Sequence, residues 1–540
     1  MKPNLFLSAL AGMLALTLLA GCGGGGTNQA ESKEELEKLK TSSYPIETDV
    51  TLKIWSYRGG GAIGPHSDPL TYPSLTNYEE KLGVKFDWTF PTAGQEKQQF
   101  NLLLAAGDLP DLVGWYWTTD MPGGAERAIS DGYISSLNDY MDDYAPNFKA
   151  YLEKNEQAAR DLRTNNGNYY YVPSYANDQT AGTVSAGYIF RQDWLKELGL
   201  EKPETIAEWE EVLRAFRDKK GAEAPLTLNT AYLSRGLTSA FDMKLGWYTD
   251  GEGHAKYGYA EPEYKAFLET MHRWYEEGLI DRNLATIDAK GIDAKMLNGK
   301  SGASFGWNGA NLGKWLQAGQ ELDPAYDLTA VRFPVANKGD IPKFGTKDAM
   351  VYMAGYAISG KSAHKALAMK VLDFGFSEEG STFLQFGEEG KTYTVEDGKM
   401  KYTDLIAKNP DGLSQTEAIS YYIRNTENYP LYKQHTYKAP SGVEFIQETK
   451  YNYTQQEEAL EIWGMNQAPK FDMPTLAPSD TSYGRLSTDI ASYAEEMMLK
   501  FITGEEPLSN WDTYLQTLSS RGYDQLKEIM QKEYDLYLKR

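Results

Sequence analysis

An α/β protein of two domains is what the sequence predicts, and three observations carry that expectation. Short alternating strands and amphipathic helices take turns between residues 50 and 115. Later helices carry their own start and stop signals. A chain of 540 residues also exceeds what one hydrophobic core commonly serves. No internal repeat interrupts this pattern.

The chain opens on one positive charge, Lys2, followed by an apolar run from Leu5 to Ala20 that ends in Leu19-Ala20-Gly21-Cys22. A charged start, an apolar centre too short for a comfortable membrane span and small residues before a cut describe a secretory leader over residues 1–21. Leu-Ala-Gly-Cys resembles the lipobox of bacterial lipoproteins. That resemblance implies cleavage before Cys22 and a diacylglycerol on its thiol, with palmitate-type acyl chains. Two such chains, at about 0.8 kcal/mol per buried methylene, hold a soluble body on a membrane. Cys22 is the only cysteine, so the exported part relies on its apolar core without a disulfide. The glycine run Gly23 to Gly26 and the polar stretch Thr27 to Ser43 read as a flexible tether, with residues 22–45 outside the fold. Glu34 to Lys40 suits a short helix with too few apolar positions to pack.

Thr51-Leu-Lys-Ile-Trp-Ser-Tyr57 alternates as a strand. Leu70 to Leu82 suits a helix closed by Gly83. Val84, Phe86, Trp88 and Phe90 alternate strictly. Gln95 to Ala106 is a second helix, with Phe100, Leu103 and Leu104 inward and Gly107 ending it, and Asp111 to Trp115 is a third strand. This β-α-β-α-β order implies parallel strands with right-handed crossovers. Thr205-Ile-Ala-Glu208 is a capping box, and Ile206, Trp209, Val212, Leu213 and Phe216 line one face of the helix it opens. Phe267, Leu268, Met271, Trp274 and Tyr275 line another helix, stopped by Gly278. Beyond about residue 480 the pattern is helical, broken at Gly504-Glu-Glu-Pro507.

A net charge of −22 disfavours nucleic acid as a partner and electrostatic capture of a polyanion. The five histidines (His66, His254, His272, His364, His435) are scattered without a metal-site spacing, and one cysteine excludes thiolate zinc sites. There is no GxSxG. Gly59-Gly60-Gly61 follows the first strand but lacks the P-loop lysine and the dinucleotide spacing, so it reads as a loop where backbone nears a ligand. Adjacent acids such as Glu276/Glu277 and Glu388/Glu389 read as solvated helix faces. No catalytic residue, cofactor or metal is expected.

The binding candidates are aromatic residues at strand ends, because ligands of open α/β sheets sit beyond the carboxyl ends of strands. Tyr57 and Arg58 end the first strand. Trp115, Tyr116 and Trp117 follow the third, and three consecutive aromatics cannot all enter one core. Trp307 and Asn308 lie in Ser304-Phe-Gly-Trp-Asn-Gly-Ala-Asn311, and Trp247, Tyr356 and Tyr421-Tyr422 complete the set. Aromatic faces cover the C–H face of a sugar ring, while Asn, Asp and Arg side chains satisfy its hydroxyls. Core packing competes with ligand contact at each position.

Five stretches then match a known family: Ala93 to Asp111, with its Gln98-Gln-Phe-Asn101 and Gly-Asp-Leu-Pro-Asp; Phe190 to Gly199; Trp274 to Asp281; Gly387 to Tyr393; and Phe501 to Pro507. Together they resemble extracellular solute-binding proteins of family 1, above all the large LplA/LipO-like lipoproteins, with the alginate-binding periplasmic proteins as cousins. The resemblance implies a type II, two-lobed periplasmic-binding-protein-like fold with a hinge and an interlobe cleft. One lobe would hold residues 46–165 with 355–430, the other 170–350 with 440–540. Chain crossings would fall near 160–175, near 345–357 and within 425–470. It also implies a non-enzymatic, monomeric, lipid-anchored protein on the outer face of a bacterial membrane, of Gram-positive type. Such a protein hands an oligosaccharide to the permease subunits of an ABC importer. Trp307 aligns with a sugar-stacking tryptophan of the alginate-binding cousins. The cousins' calcium loop reads Arg217-Asp-Lys-Lys-Gly-Ala-Glu-Ala-Pro225 here, with two acids against two lysines, so no calcium is expected. The alternatives are a lipid-anchored polysaccharide hydrolase or lyase, and a sugar sensor or adhesin on the same fold.

Replacing Cys22 by Ser is expected to release a folded protein into the culture medium. Cell fractionation with a ligand-binding assay on the released chain checks it, and a variant that stays on the membrane removes the anchor reading.

Overall fold

A computed structural model of the chain describes residues 31–58, 68–177, 184, 186–344, 350–396, 399–413, 415–424, 430, 432–433, 436–438, 444–447, 453–465, 471, 473–476 and 478–540. The leader, Cys22 and Gly59-Gly60-Gly61 lie outside the described residues. Among the described residues, no helix is long and apolar enough to cross a membrane.

Among the described residues, nine strands build the two main sheets. They are β1 (Thr51–Ser56), β2 (Lys85–Thr89), β3 (Leu112–Trp115), β4 (Val172–Pro173), β5 (Ala186–Arg191), β6 (Leu226–Thr227), β7 (Ala303–Trp307), β8 (Leu328–Val331) and β9 (Gly355–Ile358). The first sheet has the order β2-β1-β3-β9-β4 and the second β8-β5-β7-β6. The molecule is thus a two-lobed α/β protein with one sheet at the centre of each lobe.

In the first lobe, β1 pairs in parallel with both β2 and β3, as its β-α-β-α-β order predicts. Helices Pro73–Leu82 and Glu96–Ala106 make the crossovers. The second stops at Gly107, whose φ of 66° is a left-handed conformation that glycine adopts without a side-chain clash. Phe100 and Leu104 point inward, and Leu103 is half-buried at the margin. Fully burying a side chain such as Phe100 contributes roughly 2–3 kcal/mol.

The tether expectation is corrected over residues 31–45. Lys33–Thr41 is a helix with a complete capping box, Ser32 accepting from the Glu35 N–H while Glu35 accepts from the Ser32 N–H. Leu39 is buried in the first lobe's core, and Leu36 packs against it partly buried. The carboxylate of Glu31 caps the helix Lys365–Asp373 by accepting from Leu367 N–H at 3.0 Å and Ala366 N–H at 3.3 Å. These apolar contacts and a charged cap to a neighbouring helix terminus are enough to dock it, a tertiary contact that local composition does not reveal.

In the second lobe, all six residues of β5 are buried, as expected for a central strand covered on both faces. The Thr205 capping box forms, with Glu208 N–H donating to Thr205 Oγ1 at 3.3 Å and Thr205 N–H to Glu208 Oε2 at 3.0 Å. Trp209, Val212, Leu213 and Phe216 enter the core together with Phe267, Leu268, Met271 and Trp274. Helices Tyr483–Thr503, Trp511–Ser520 and Tyr523–Tyr537 pack onto the same core.

Two extended segments run side by side between the lobes. Ser174 N–H donates to Ala354 O at 2.9 Å, Tyr352 N–H donates to Tyr175 O at 3.0 Å, and Ala176 bridges Val351. Beyond this ladder β9 enters the first sheet antiparallel to both β3 and β4. Gly355 is required there, because a Cβ would press onto the Val172 carbonyl. A third pass, Tyr432–Lys433, pairs in parallel with Ala176–Asn177.

The last helix also reaches back across the junction. Tyr537 donates its hydroxyl to Asp161 at 2.6 Å, and Asn165 Nδ2 donates to Glu533 Oε1 at 2.6 Å. Arg540 donates to Asn165 Oδ1 at 2.8 Å and to the Arg163 carbonyl at 2.6 Å, with Glu533 3.6 Å away. The Arg540 and Glu533 side chains are 8% and 6% exposed. Burial pushes the Glu533 carboxyl above its ordinary range, against the opposing pull of Asn165 and Arg540.

Arg540→Met leaves Glu533 buried without its cation and is expected to lower stability by about 2–3 kcal/mol in urea unfolding. The Arg540→Met, Glu533→Leu double variant is expected to recover part of that loss, since no orphaned charge remains.

Candidate ligand-binding cleft

The carboxyl ends of β1 and β3 carry a row of half-buried tyrosines. Pairing continues one residue past β1, where Tyr57 N–H donates to Gly114 O at 3.1 Å, so the Tyr57 side chain leaves the sheet at a fixed place. Its ring lies 5.4 Å from that of Tyr116 and edge-on to Trp115 at 5.5 Å. The Tyr116 and Tyr352 hydroxyls are 3.1 Å apart, and Tyr352 stacks on Tyr175 at 4.8 Å and 16°. The row therefore runs from the end of β1 to the paired crossing segments. Burial, followed by the bond to Tyr352, raises the Tyr116 phenol, which stays neutral and able both to donate and to accept.

Beside this row, the Arg58 guanidinium lies 5.3 Å over Tyr72 and 5.7 Å over Phe90. Tyr421 packs on Tyr72 at 5.1 Å and on Tyr422 at 4.8 Å. The helix carrying both is anchored where Ser74 Oγ donates to the Ser420 carbonyl at 3.0 Å.

The second lobe presents its own aromatic group at the end of β7. Trp307 is half-buried, edge-on to Phe305 at 5.8 Å and to Tyr232 at 5.7 Å. Its N–H donates to Asn311 Oδ1 at 3.0 Å, which fixes the turn behind it. Tyr232 is held by a short helix capped by Asn229, whose Oδ1 accepts from Tyr232 N–H at 2.9 Å. The exposed Arg235 lies 5.6 Å over the Trp307 ring.

Four of the residues expected to touch ligand are core residues instead. Trp115 is 4% exposed and stacks on Phe100 at 5.3 Å. Trp117 is fully buried, donating its indole N–H to the Val113 carbonyl at 2.9 Å. Tyr356 is 2% exposed, with its hydroxyl 2.8 Å from Ser56 Oγ. Asn308 is buried in a reciprocal pair, its Nδ2 donating to Gln456 O at 2.8 Å and Gln456 Nε2 donating to Asn308 O at 3.1 Å. The physical reason is alternation: neighbours in an extended segment face opposite ways, so one of two adjacent candidates turns inward. Tyr57, Arg58, Tyr116, Trp307 and Tyr421 keep partly exposed faces, whereas Trp247 lines a separate pocket on the hairpin Trp247–Thr249/Ala255–Tyr257. Tyr175, Tyr352, Tyr232 and Arg235 escaped the sequence reading. Their strand-end signal is weak, since Tyr175 and Tyr352 lie in the crossing segments and Tyr232 on a four-residue helix.

The acids of the 217–225 segment are engaged by cations: Asp218 pairs with Arg217 at 2.6 Å and Glu223 with Lys300 at 2.5 Å. Asp250, Glu252 and His254 come close enough to share an ion. Burial opposes the Asp250 charge, but bonds from the Glu252 and His254 N–H groups and the His254 ring hold its carboxyl at about 2. Those bonds close a hairpin turn, and the group is exposed or half-exposed.

The model of the bacterial extracellular solute-binding proteins matches residues 64–382, more than half of the chain. The chain belongs to this family. Lipoprotein LipO of Bacillus subtilis is 22% identical over 99% of both chains. A carbohydrate ABC transporter substrate-binding protein of Streptococcus pneumoniae is 23% identical over 100% of this chain and 99% of its own. Among solved structures, the alginate-binding protein AlgQ2 without calcium ion superposes with a TM-score of 0.72 at 24% identity, covering 92% of this chain and 100% of that one. The S. pneumoniae protein FusA in complex with kestose gives 0.70 at 20% identity, covering 91% and 99%. At these identities the structural likeness speaks for the fold. The two-lobed solute-binding architecture accounts for aromatic groups at the strand ends of both sheets and for the paired crossings between them.

Asn308→Ala is expected to cost about 1–2 kcal/mol of stability, because the buried Gln456 carbonyl loses the Asn308 Nδ2 donor, while the bond from Gln456 Nε2 to the residue-308 backbone carbonyl remains. Trp307→Ala at the adjacent position is expected to cost less, since that ring is only partly buried. Paired urea titrations check the order, and the reverse order would mark Trp307 as a core residue.

Proposed function

We propose that this solute-binding protein captures an oligosaccharide between its lobes and delivers it to an ABC importer while held on the membrane through Cys22. One observation carries the reading. Tyr57, Tyr116, Tyr352 and Tyr175 of one aromatic row, and Trp307 with Tyr232 of another, offer partly exposed ring faces with hydroxyl or indole N–H groups at their edges. That surface complements a sugar, which has an apolar C–H face and a rim of hydroxyls. Arg58 and Arg235 add cationic donors beside the rings. A micromolar ligand requires about 8 kcal/mol net, within reach of a few stacked rings and a polar rim. The names of two S. pneumoniae relatives, a carbohydrate transporter's substrate-binding protein and the fructooligosaccharide-binding FusA, support the same class of ligand. Lobe closure about the crossing segments would then be the state an importer reads.

A thermal-shift screen of residues 27–540 against neutral and acidic oligosaccharides is expected to find at least one stabilising sugar. At about 100 times its Kd a ligand adds about 2.7 kcal/mol. Trp307→Ala and Tyr57→Ala are each expected to weaken that sugar at least tenfold, about 1.4 kcal/mol. A panel in which only peptides raise the melting temperature would sink the sugar reading. Normal uptake of the bound sugar after gene deletion would replace the importer role by that of a sensor.

A further inference from the structure

The second lobe holds a pocket outside both aromatic groups described above. Its volume is about 280 Å³, just under the roughly 300–1,000 Å³ of pockets for drug-sized ligands, so it suits one ring rather than a chain. One wall is aromatic: Trp247 and Tyr257 lie 4.9 Å apart, and Tyr257 and Tyr259 lie 5.4 Å apart. The opposite wall is one face of the helix Tyr483–Thr503. Ser487, Ala491 and Glu495 line the pocket at successive spacings of four residues, which places them on the same side of the helix. Serine and alanine leave the space, and Glu495 puts a carboxylate at its end.

Of the polar groups that line it, Ser234 Oγ donates to the Ala231 carbonyl at 2.8 Å, while the two phenols stand apart. Tyr257 and Tyr259 are 4% and 7% exposed, yet among the described residues neither hydroxyl bonds to a protein group. Both tyrosines line the pocket, so a molecule held there can supply the bonds. Burial first, and the Glu495 charge among further causes, raise both phenols, which remain donors as well as acceptors. Glu495 itself is exposed and forms no ion pair among the described residues.

We propose that this pocket binds a single neutral pyranose. Trp247 covers its C–H face, the carboxylate of Glu495 accepts from neighbouring ring hydroxyls, and Tyr257 and Tyr259 complete the hydrogen bonds. The same carboxylate repels a uronate, and a quaternary ammonium would leave both phenols unpartnered. The ring is either a free monosaccharide or the end unit of a longer chain. The inference does not depend on the importer reading, because no residue of the Trp307 or Tyr57 groups takes part.

The test is saturation-transfer NMR on the full chain, purified in a detergent without a sugar headgroup. The probes are glucose, galactose and mannose, with galacturonate and choline alongside. Neutral sugars are expected to give signal that falls at least about fivefold in Trp247→Ala and in Ala491→Leu, which fills the space without removing an aromatic. Glu495→Gln is expected to weaken it. Where an oligosaccharide from the screen displaces the monosaccharide in the wild type but not in Trp307→Ala, the ring is the end of a chain; where both bind together, it is a separate sugar. No neutral-sugar signal in the wild type overturns the proposal, as does signal unchanged in both Trp247→Ala and Ala491→Leu, or a preference for choline or galacturonate. A loss confined to Trp307→Ala would count against this pocket while leaving the oligosaccharide reading intact.

Discussion

The paired crossing of Ser174–Asn177 against Val351–Ala354 is the constraint from which the rest of the structure follows. Backbone hydrogen bonds tie the chain leaving the first lobe to the chain returning to it. The returning segment then completes the first sheet as β9, between β3 and β4. The first lobe therefore cannot finish its sheet until the second lobe has been threaded through. Gly355 sits at the tightest point, where any side chain would displace the Val172 carbonyl.

This crossing also joins the hinge to the surface beyond β1 and β3. Tyr175 and Tyr352 stack on each other within the crossing segments, and Tyr352 meets Tyr116 through their hydroxyls. Rings at the junction and rings at the strand ends thus form one continuous row. On a chain of net charge −22, the row is built from phenols rather than from carboxylates, and burial raises that of Tyr116. Such a surface favours ligands that present hydroxyls and C–H faces over those bound through charge alone. The contacts of Tyr537 and Arg540 with residues 160–165 add a second tie across the junction, buried and polar where the crossing is a backbone ladder.

Much of each lobe's local structure was legible because its causes are local. The Thr205-Glu208 capping box, the stops at Gly107 and Gly278 and the inward faces of residues 206–216 and 267–274 depend on residues within a turn or two of one another. The helix Lys33–Thr41 was legible as a helix but not as part of the fold, because its docking depends on Leu39 and on Glu31 capping a helix more than 300 residues away. Of the site, the strand ends at Tyr57, Tyr116 and Trp307 could be named from alternation and position. Alternation did not say which of two neighbours turns inward, so Trp115, Trp117 and Asn308 were named with them.

By itself, the sequence determined the α/β class, the parallel β1, β2 and β3 core, the helical carboxyl-terminal third of the second lobe and a family resemblance strong enough to place a cleft. These follow from periodicity, caps and short motifs, all encoded within a few consecutive residues. Only the tertiary structure decided which aromatics keep an exposed face, that Tyr175 and Tyr352 join the row from either side of the second lobe, and that Trp247 faces a pocket of its own. Those outcomes depend on which distant segments become neighbours, and a single sequence read locally carries no record of that pairing.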